Sequence, residues 1–480
     1  MNEPLKNKAL KGVAWSAIEK FSYQGVQFIL NIVIARLVLP AEYGLIAMLA
    51  IFLSIAQVFV DSGFSNALIQ KQSRTETDYS TVFYFNIAIS LIIYLIIYIC
   101  APLIADFYSQ PQLKLILRWV GITIILQGIT VVQRAKIIID VNFKLLAKVS
   151  LISVIISGVT AVYMAYSGMG VWALVVQSIG NSLISTILLW ILAKWKPLII
   201  FSWSSFTKLF SYGSKLLISS LLQTIYLNLY SLVIGKYYSA SQVGFYNRSS
   251  SLAQFPSTNI VGIVSRAVFP IMCQMQDNDE KLIKSFNQYL RATCFIIFPL
   301  MVGLAVLAKP LVLLILTEKW EPAATLLSIL SIAYMLQPLM ALNHQILNVK
   351  GRSDYFLKAD IIKKLLAAVI LIITIPFGMN ILCLGVIIYS IIDIVITLYY
   401  AKKVINTGYI CQFLSILPHL TISIVMGVVV YFSSIIVGSN LWLQLATGTI
   451  LGAISYLLLS YIFKVKELTL ILGFIKNIRK

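Results

Sequence analysis

The chain has 480 residues, 60% of them hydrophobic and only 11% charged, with a mean hydropathy of +0.92. A soluble domain carries about 25% charged residues, so this composition excludes an ordinary globular protein and specifies an integral membrane protein. The net charge of +20 does not mark a nucleic-acid partner, because no soluble stretch carries a basic face interleaved with aromatics.

Met1 to Lys11 is polar, and the apolar run from Val13 to Val38 is long enough to span a bilayer rather than be cleaved as a signal peptide. Runs of about 20 apolar residues then recur at 13–38, 43–64, 80–105, 113–133, 146–167, 171–192 and 209–235. They continue at 243–268, 286–308, 324–347, 357–375, 380–401, 411–434 and 440–463. The expected fold is an all-α polytopic membrane protein of about 14 transmembrane helices. Between Lys309 and Pro322 the stretch LVLLIL is too short to cross and reads as a re-entrant or interfacial piece. No loop is long enough for a soluble domain, which removes models with a catalytic headpiece.

The distribution of Lys and Arg sets the orientation. With the N-terminus inside, 29 of the 37 fall on the cytoplasmic side; among them are Lys71, Arg74, Lys194, Lys196, Lys350, Arg352, Lys358, Lys363, Lys364, Lys402, Lys403, Lys476, Arg479 and Lys480. Six fall outside (Arg36, Lys114, Arg118, Lys236, Lys309, Lys319), and Lys20 and Arg248 lie within spans. Both termini are expected in the cytoplasm, with the basic loops also drawn to anionic membrane lipids.

The chain repeats itself. RLVLPAEYG, Arg36 to Gly44, closes the first apolar run, and KYYSASQVG, Lys236 to Gly244, closes the seventh. A basic residue stands eight before the glycine in both, and Glu42 answers Gln242. APLIADFYSQP from Ala101 resembles KPLVLLILTEKWEP from Lys309, and QRAKIIIDVNFK from Gln133 resembles QILNVKGRSDYF from Gln345. Such a long period indicates duplication. The expected organisation is an N-terminal six-helix bundle (1–193) and a basic cytoplasmic connector (194–208). A second six-helix bundle (209–403) repeats the first. An appended helical hairpin with a basic tail (404–480) ends the chain. Two related halves in a membrane suggest a transporter that rocks one bundle against the other.

Charged groups in hydrocarbon cost about 2.5–3.5 kcal/mol on insertion scales, so each should face a cavity or a partner. Glu19 and Lys20 in span 1 read either as a pair at the cytoplasmic interface, with Lys20 reaching out to water, or as part of a cavity wall. Arg248 in span 8 stands among Asn247, Ser249, Ser250 and Ser251, with Gln254 and Asn259 following at helical spacing and Pro256 as a kink site. That stretch reads as a wet, cationic lining. Span 7 offers Gln223, Thr224 and Asn228, span 1 Ser16, Gln24, Gln27 and Asn31, and span 2 Ser54, Gln57 and Asp61. Polar content thus concentrates in spans 1, 2, 7 and 8, the first pair of each half, and two such pairs facing each other would enclose a cavity. Arg248, Lys20, Arg36, Asn31, Gln57, Asn228, Gln254 and Asn259 are the candidate substrate-binding residues. Cationic groups there would select an anionic substrate, and the arginine fork suits phosphate oxygens.

Asp393 is a lone acid in span 12, either buried and hydrogen-bonded or a coupling group. The five cysteines are scattered without CxxC, and His344 and His419 lack ligands at metal spacing, so all read as structural. There is no Walker loop, HExxH or GxSxG. No catalytic residue, metal or cofactor is expected, and the chain reads as a non-enzyme.

KGVAWSAIEKF, RLVLPAEYG, DSGFSNALIQK, DYSTVFYFN, APLIADFY, VNFK, GMGVWALVVQS, IGKYYSASQVGFYNR and LTEKW resemble segments of the polysaccharide (O-antigen) flippases, Wzx type. These belong to the multidrug/oligosaccharidyl-lipid/polysaccharide exporter superfamily. The resemblance covers spans 1 to about 11; spans 12 to 14 match in hydropathy only. It implies a two-lobed fold of fourteen helices in the bacterial cytoplasmic (inner) membrane. It implies transfer of undecaprenyl-diphosphate-linked oligosaccharide from the inner to the outer leaflet by alternating access, with a polysaccharide polymerase and chain-length machinery as partners. Related lipid II flippases use a basic central cavity, which fits Arg248 and, less closely, Lys20 and Arg36. Energy would come from a proton or sodium gradient, with Glu19, Asp61 or Asp393 as ion-coupling candidates, or from consumption of the product outside. The rival reading is an ion-coupled antiporter exporting drugs or other small solutes, which predicts twelve spans and cavity acids. A membrane polymerase or glycosyltransferase would show a large outer loop or catalytic acids, and a non-transporting scaffold would not need the polar lining.

Overall fold

The computed structural model describes residues 3–61, 63–405 and 408–468. The basic tail with Lys476, Arg479 and Lys480 lies outside the described residues, as do the side chains of Lys6, Lys8, Lys11 and Ser16. Every regular element among the described residues is helical. In hydrocarbon each backbone N–H and C=O must be satisfied within the chain, and an apolar run does so by coiling into a helix.

In chain order come α1 (Glu3–Leu37), α2 (Pro40–Asp61), α3 (Phe64–Gln70) and α4 (Glu76–Phe107). A broken set follows: α5 (Gln112–Val120), α6 (Ile122–Gly128) and α7 (Val131–Ile139). Next are α8 (Phe143–Tyr166) and α9 (Val171–Leu192). The order then recurs: α10 (Trp203–Tyr237), α11 (Ala240–Cys273), α12 (Asp279–Val306), a second broken set α13 (Ala308–Ile315), α14 (Glu321–Met335) and α15 (Gln337–Val349), then α16 (Ser353–Thr374) and α17 (Met379–Lys402). Two helices follow, α18 (Tyr409–Val437) and α19 (Leu441–Ile462). Local chemistry starts several of them. Thr75 and Asp78 form a reciprocal capping box on α4, and the side chains of Asn142, Ser202, Asn278 and Asn440 accept from first-turn amides of α8, α10, α12 and α19.

Fourteen spans are expected; among the described residues ten helices are long and apolar enough to cross a membrane, or eleven if the pair bent by 43° at Gly128–Val131 is one span. Helices α1, α11 and α16 coincide with expected spans but do not reach that apolarity. The cause is visible in α16, which carries Asp354, Lys358, Asp360, Lys363 and Lys364, and in α11, with its run of Asn, Arg and Ser. LVLLIL falls in α13 and its C-cap Leu316; the helix is eight residues long and at 1.5 Å per residue extends only about 12 Å. Helix α11 is continuous through Pro256 and Pro270.

The chain divides into two compact units, Met1–Gly244 and Phe245–Lys480. The division falls after α10, so the helix that the sequence pattern groups with the second half packs in the first unit, on α2, α3 and α4. In that unit α8 lies between α1 and α9. A buried cluster of Phe64, Leu68, Phe83, Val132, Trp195 and Leu209 joins α3, α4, α7, the connector and α10. The connector is strapped down rather than loose. Trp195 Nε1 donates to Glu76 Oε2 at 2.7 Å, Leu198 N to Ser80 Oγ at 2.9 Å and Ser202 N to Thr81 Oγ1 at 3.0 Å.

In the second unit α17 packs against α14, α15 and α16, and α12 packs against α14 and α18. The terminal pair α18–α19 is tied to α12 by polar contacts: Arg291 Nε lies 2.7 Å from Glu467 Oε1, and Tyr456 Oη donates to Phe295 O at 2.8 Å.

Candidate functional site

The two repeated turns adopt one local structure. After α1, Glu42 Oε2 accepts from Leu39 N at 2.9 Å; after α10, Gln242 Oε1 accepts from Ser239 N at 3.2 Å. The side chain three residues on caps the new helix in both, so acid and amide serve the same end. The turns also touch. A Cβ on Gly44 would fall into the Ala240 carbonyl, and one on Gly244 into the Pro40 carbonyl. Each glycine is therefore required by the other turn's backbone. At the far end of α2, Gly63 (φ 68°) meets Gly213 of α10, whose carbonyl oxygen would lie 2.6 Å from an added Cβ. The α1–α2 turn thus meets the α10–α11 turn backbone to backbone, and the residue that ends the turn after α2 meets α10 in the same way.

Beside the Gly63 contact a cavity of 140 Å³ is lined by Gln57, Asp61, Asn66 and Ser220, with Val58, Leu216 and Leu217. Two candidate residues, Gln57 and Asp61, are brought together there by helical spacing of four. Elsewhere in this unit, Glu19 Oε1 accepts from Ser150 Oγ of α8 at 3.2 Å and faces Arg134, while Lys20 and Arg36 are exposed. Gln27 Nε2 reaches Asn31 Oδ1 at 3.5 Å, and Tyr43 Oη donates to Asn31 O at 3.3 Å. Asn228 Nδ2 donates to its own helix at Thr224 O, 2.9 Å.

In the second unit the polar stripe of α11 is used largely for packing. Ser249 Oγ donates to Ala323 O and Ser257 Oγ to Tyr334 O, both at 2.7 Å. Gln254 Nε2 donates to Ser250 Oγ at 3.1 Å and to Tyr334 Oη. Its amide therefore joins α11 to α14, as polar groups between membrane helices commonly do. Asn259 Nδ2 donates to Phe255 O at 2.8 Å, and Arg248 is half-buried beside Ser249.

Asp393 is not a lone acid. Lys363 Nζ of α16 lies 3.3 Å from its Oδ1, with Thr397 Oγ1 donating to Oδ1 at 2.8 Å and Tyr389 Oη to Oδ2 at 3.3 Å. The sequence reading missed Lys363 by counting it with the basic loop at Lys358 and Lys364; its place ten residues into α16 was the available signal. Among the described residues no three His, Cys, Asp or Glu side chains group as a metal site.

The model of the family described as polysaccharide biosynthesis protein matches residues 33–325. The chain belongs to this family. It is 25% identical over 461 residues to the teichuronic acid biosynthesis protein TuaB of Bacillus subtilis (strain 168), covering 95% of both chains. It is 23% identical over 436 residues to the lipopolysaccharide biosynthesis protein WzxC of Escherichia coli (strain K12), covering 88% of this chain and 89% of that one. Among solved structures it shares its fold with the lipid II flippase MurJ in an inward closed conformation, with a TM-score of 0.76 at 17% identity, over 93% of this chain and 98% of that chain. This member of the polysaccharide biosynthesis family is a multi-pass membrane protein.

Proposed function

We propose that the protein flips undecaprenyl-diphosphate-linked oligosaccharide from the inner to the outer leaflet of the bacterial cytoplasmic membrane, by alternating access. The relatives are named for making teichuronic acid and lipopolysaccharide, glycans assembled from repeat units. The structural neighbour is named a lipid II flippase, and lipid II is a polyprenyl-diphosphate glycolipid. The observation that carries the mechanism is the seam between the α1–α2 and α10–α11 turns, where backbone meets backbone at Gly44 and Gly244. A contact made of backbone against backbone, without interlocked side chains, can part and re-form as a unit.

The diphosphate and sugars enter a cavity from the cytoplasm while the polyprenyl tail stays in lipid, so that charge never crosses bare hydrocarbon. Arg248, Lys20 and Arg36 supply cations for the diphosphate, and Gln57, Asn31, Asn228 and Asn259 supply amides for sugar hydroxyls. Gln254 acts indirectly, by fixing α11 on α14. Both termini are cytoplasmic, the chain makes or breaks no bonds, and a polymerase with chain-length machinery takes up the product outside. The recurrence of element order supports two repeats, with α18–α19 appended.

The test is flipping in proteoliposomes, read as exposure of labelled lipid-linked oligosaccharide to a membrane-impermeant sugar-modifying enzyme. Protein-dependent exposure beyond the outer-leaflet fraction is expected. None, with folded protein and native substrate, would move the reading to the antiporter.

A further inference from the structure

The Lys363–Asp393 pair has the burial and position of a functional group. Both side chains are nearly sealed, at 7% and 8% exposure. Lys363 is ten residues from the start of α16 and Asp393 nine from the end of α17. At 1.5 Å per residue that is about 15 Å from the basic end of both helices, the middle of a hydrocarbon core about 30 Å thick. Stability does not explain such a pair, because replacing a buried ion pair with apolar side chains is often neutral or stabilising.

The pair is also loosely closed. A charge-assisted N–H···O bond usually measures about 2.7–2.9 Å, whereas Lys363 Nζ stands 3.3 Å from Asp393 Oδ1. The groups around it come from each helix packed on α17. On α16 the next cation, Lys364, is held by Asp360 at 2.8 Å. On α15 His344 faces Lys363, Asp360 and Asp393, with its ring stacked 3.8 Å from Phe356 of α16 and its buried Nε2 without a hydrogen-bond partner. On α14 Tyr334 is taken up by Ser250 and Gln254. On α17 itself are Tyr389, Thr397 and Cys383.

We propose that Lys363 and Asp393 form the proton-coupling site of the transporter. The proposal rests on the transport reading above and goes beyond it by naming the ion and its site. A proton from the acidic side adds to an Asp393 carboxylate oxygen, giving the neutral acid, and the ion pair breaks. Lys363 keeps its own proton and swings one turn along α16 toward Asp360 and the basic end, as long cationic side chains do to reach water. With the bridge gone α16 is free to shift on α17. Loss of the proton to the other side restores carboxylate and bridge. A sodium ion does not fit the role, because the Lys363 ammonium already occupies the cation position of this carboxylate and its two hydroxyl donors.

The test compares wild type with K363M/D393L, which removes both charges and strands neither. In proteoliposomes an inward proton gradient is expected to speed wild-type flipping, and a sodium gradient without a pH difference to leave it unmoved. In the double variant, with wild-type elution and melting temperature, rates with and without the proton gradient should become equal. A double variant still driven by protons, or a wild type driven by sodium alone, overturns the assignment. A second readout needs no substrate. Infrared spectra of the purified protein should show a carboxyl C=O band that grows on acidification and is missing in D393N. Absence of that band defeats the site. A titrating band in a protein that flips nothing defeats the transport reading instead.

Discussion

Replacing Gly44 by alanine adds one methyl group where the α1–α2 turn meets the α10–α11 turn. The new Cβ would overlap the Ala240 carbonyl, and a backbone atom cannot rotate aside as a side chain can, so the turns must separate. Overpacking of this kind costs about 1–3 kcal/mol. Alanine also gains about 0.8–1.0 kcal/mol of helix propensity over glycine inside α2, but α2 is helical whether the seam is closed or parted, so that gain cancels. The closed seam alone carries the cost, and the parted population should rise by about 5- to 150-fold at about 1.4 kcal/mol per tenfold. Ala240, 7% exposed, reports this when changed to cysteine in a background lacking Cys100, Cys273, Cys294, Cys383 and Cys411. Its labelling by a membrane-impermeant thiol reagent should accelerate by that factor. Gly244→Ala should do the same, and the two together should give less than the product, since a seam already parted is not strained again. Labelling of folded Gly44→Ala no faster than its parent would refute the clasp.

Arg248→Ala should slow flipping by about 10- to 100-fold, the worth of about 1.5–3 kcal/mol for hydrogen bonds to a charged group. Arg248→Lys should recover part of the loss, because it keeps the charge without the fork; alanine flipping at the wild-type rate removes Arg248 from the substrate path. Glu467→Ala strips Arg291 of its partner at 2.7 Å and His419 of one at 3.5 Å. It should destabilise the α12–α18–α19 packing by about 3–5 kcal/mol, seen as a lower melting temperature in detergent; an unchanged midpoint would show the triad to be solvated. Trp195→Phe removes the indole donor to Glu76 and about 1.5–3 kcal/mol, so trypsin should cut faster after Lys194. Cleavage at the parent rate would mean that Ser80 and Thr81 hold the connector without it.

Local chemistry was readable in advance. The correspondence of Glu42 and Gln242 was visible from spacing, and both cap the same position of the same turn, since a cap needs only residues three apart. Likewise the shortness of α13 follows from an apolar run that cannot reach across a bilayer. Polar residues were harder. Asn228, Asn259 and Gln254 stand alike on their helices, yet two bond to their own backbone and the third to a tyrosine 80 residues away. Nothing within a helix distinguishes these fates, because a membrane helix is apolar on most faces and its pattern does not say which face meets a neighbour.

The sequence by itself determined that the chain crosses a membrane many times, that the element order repeats and that its motifs are those of polysaccharide flippases. These properties depend on hydropathy over a few turns and on residues close in sequence. Only the tertiary structure decided that the Gly44 and Gly244 turns lie against each other, that α10 packs in the first unit, and that Asp393 is paired with Lys363. Counted along the chain, Lys363 belonged to a basic loop. In the folded protein it lies in mid-helix, thirty residues from the acid it balances, because a buried charge is tolerated only where another helix brings its partner.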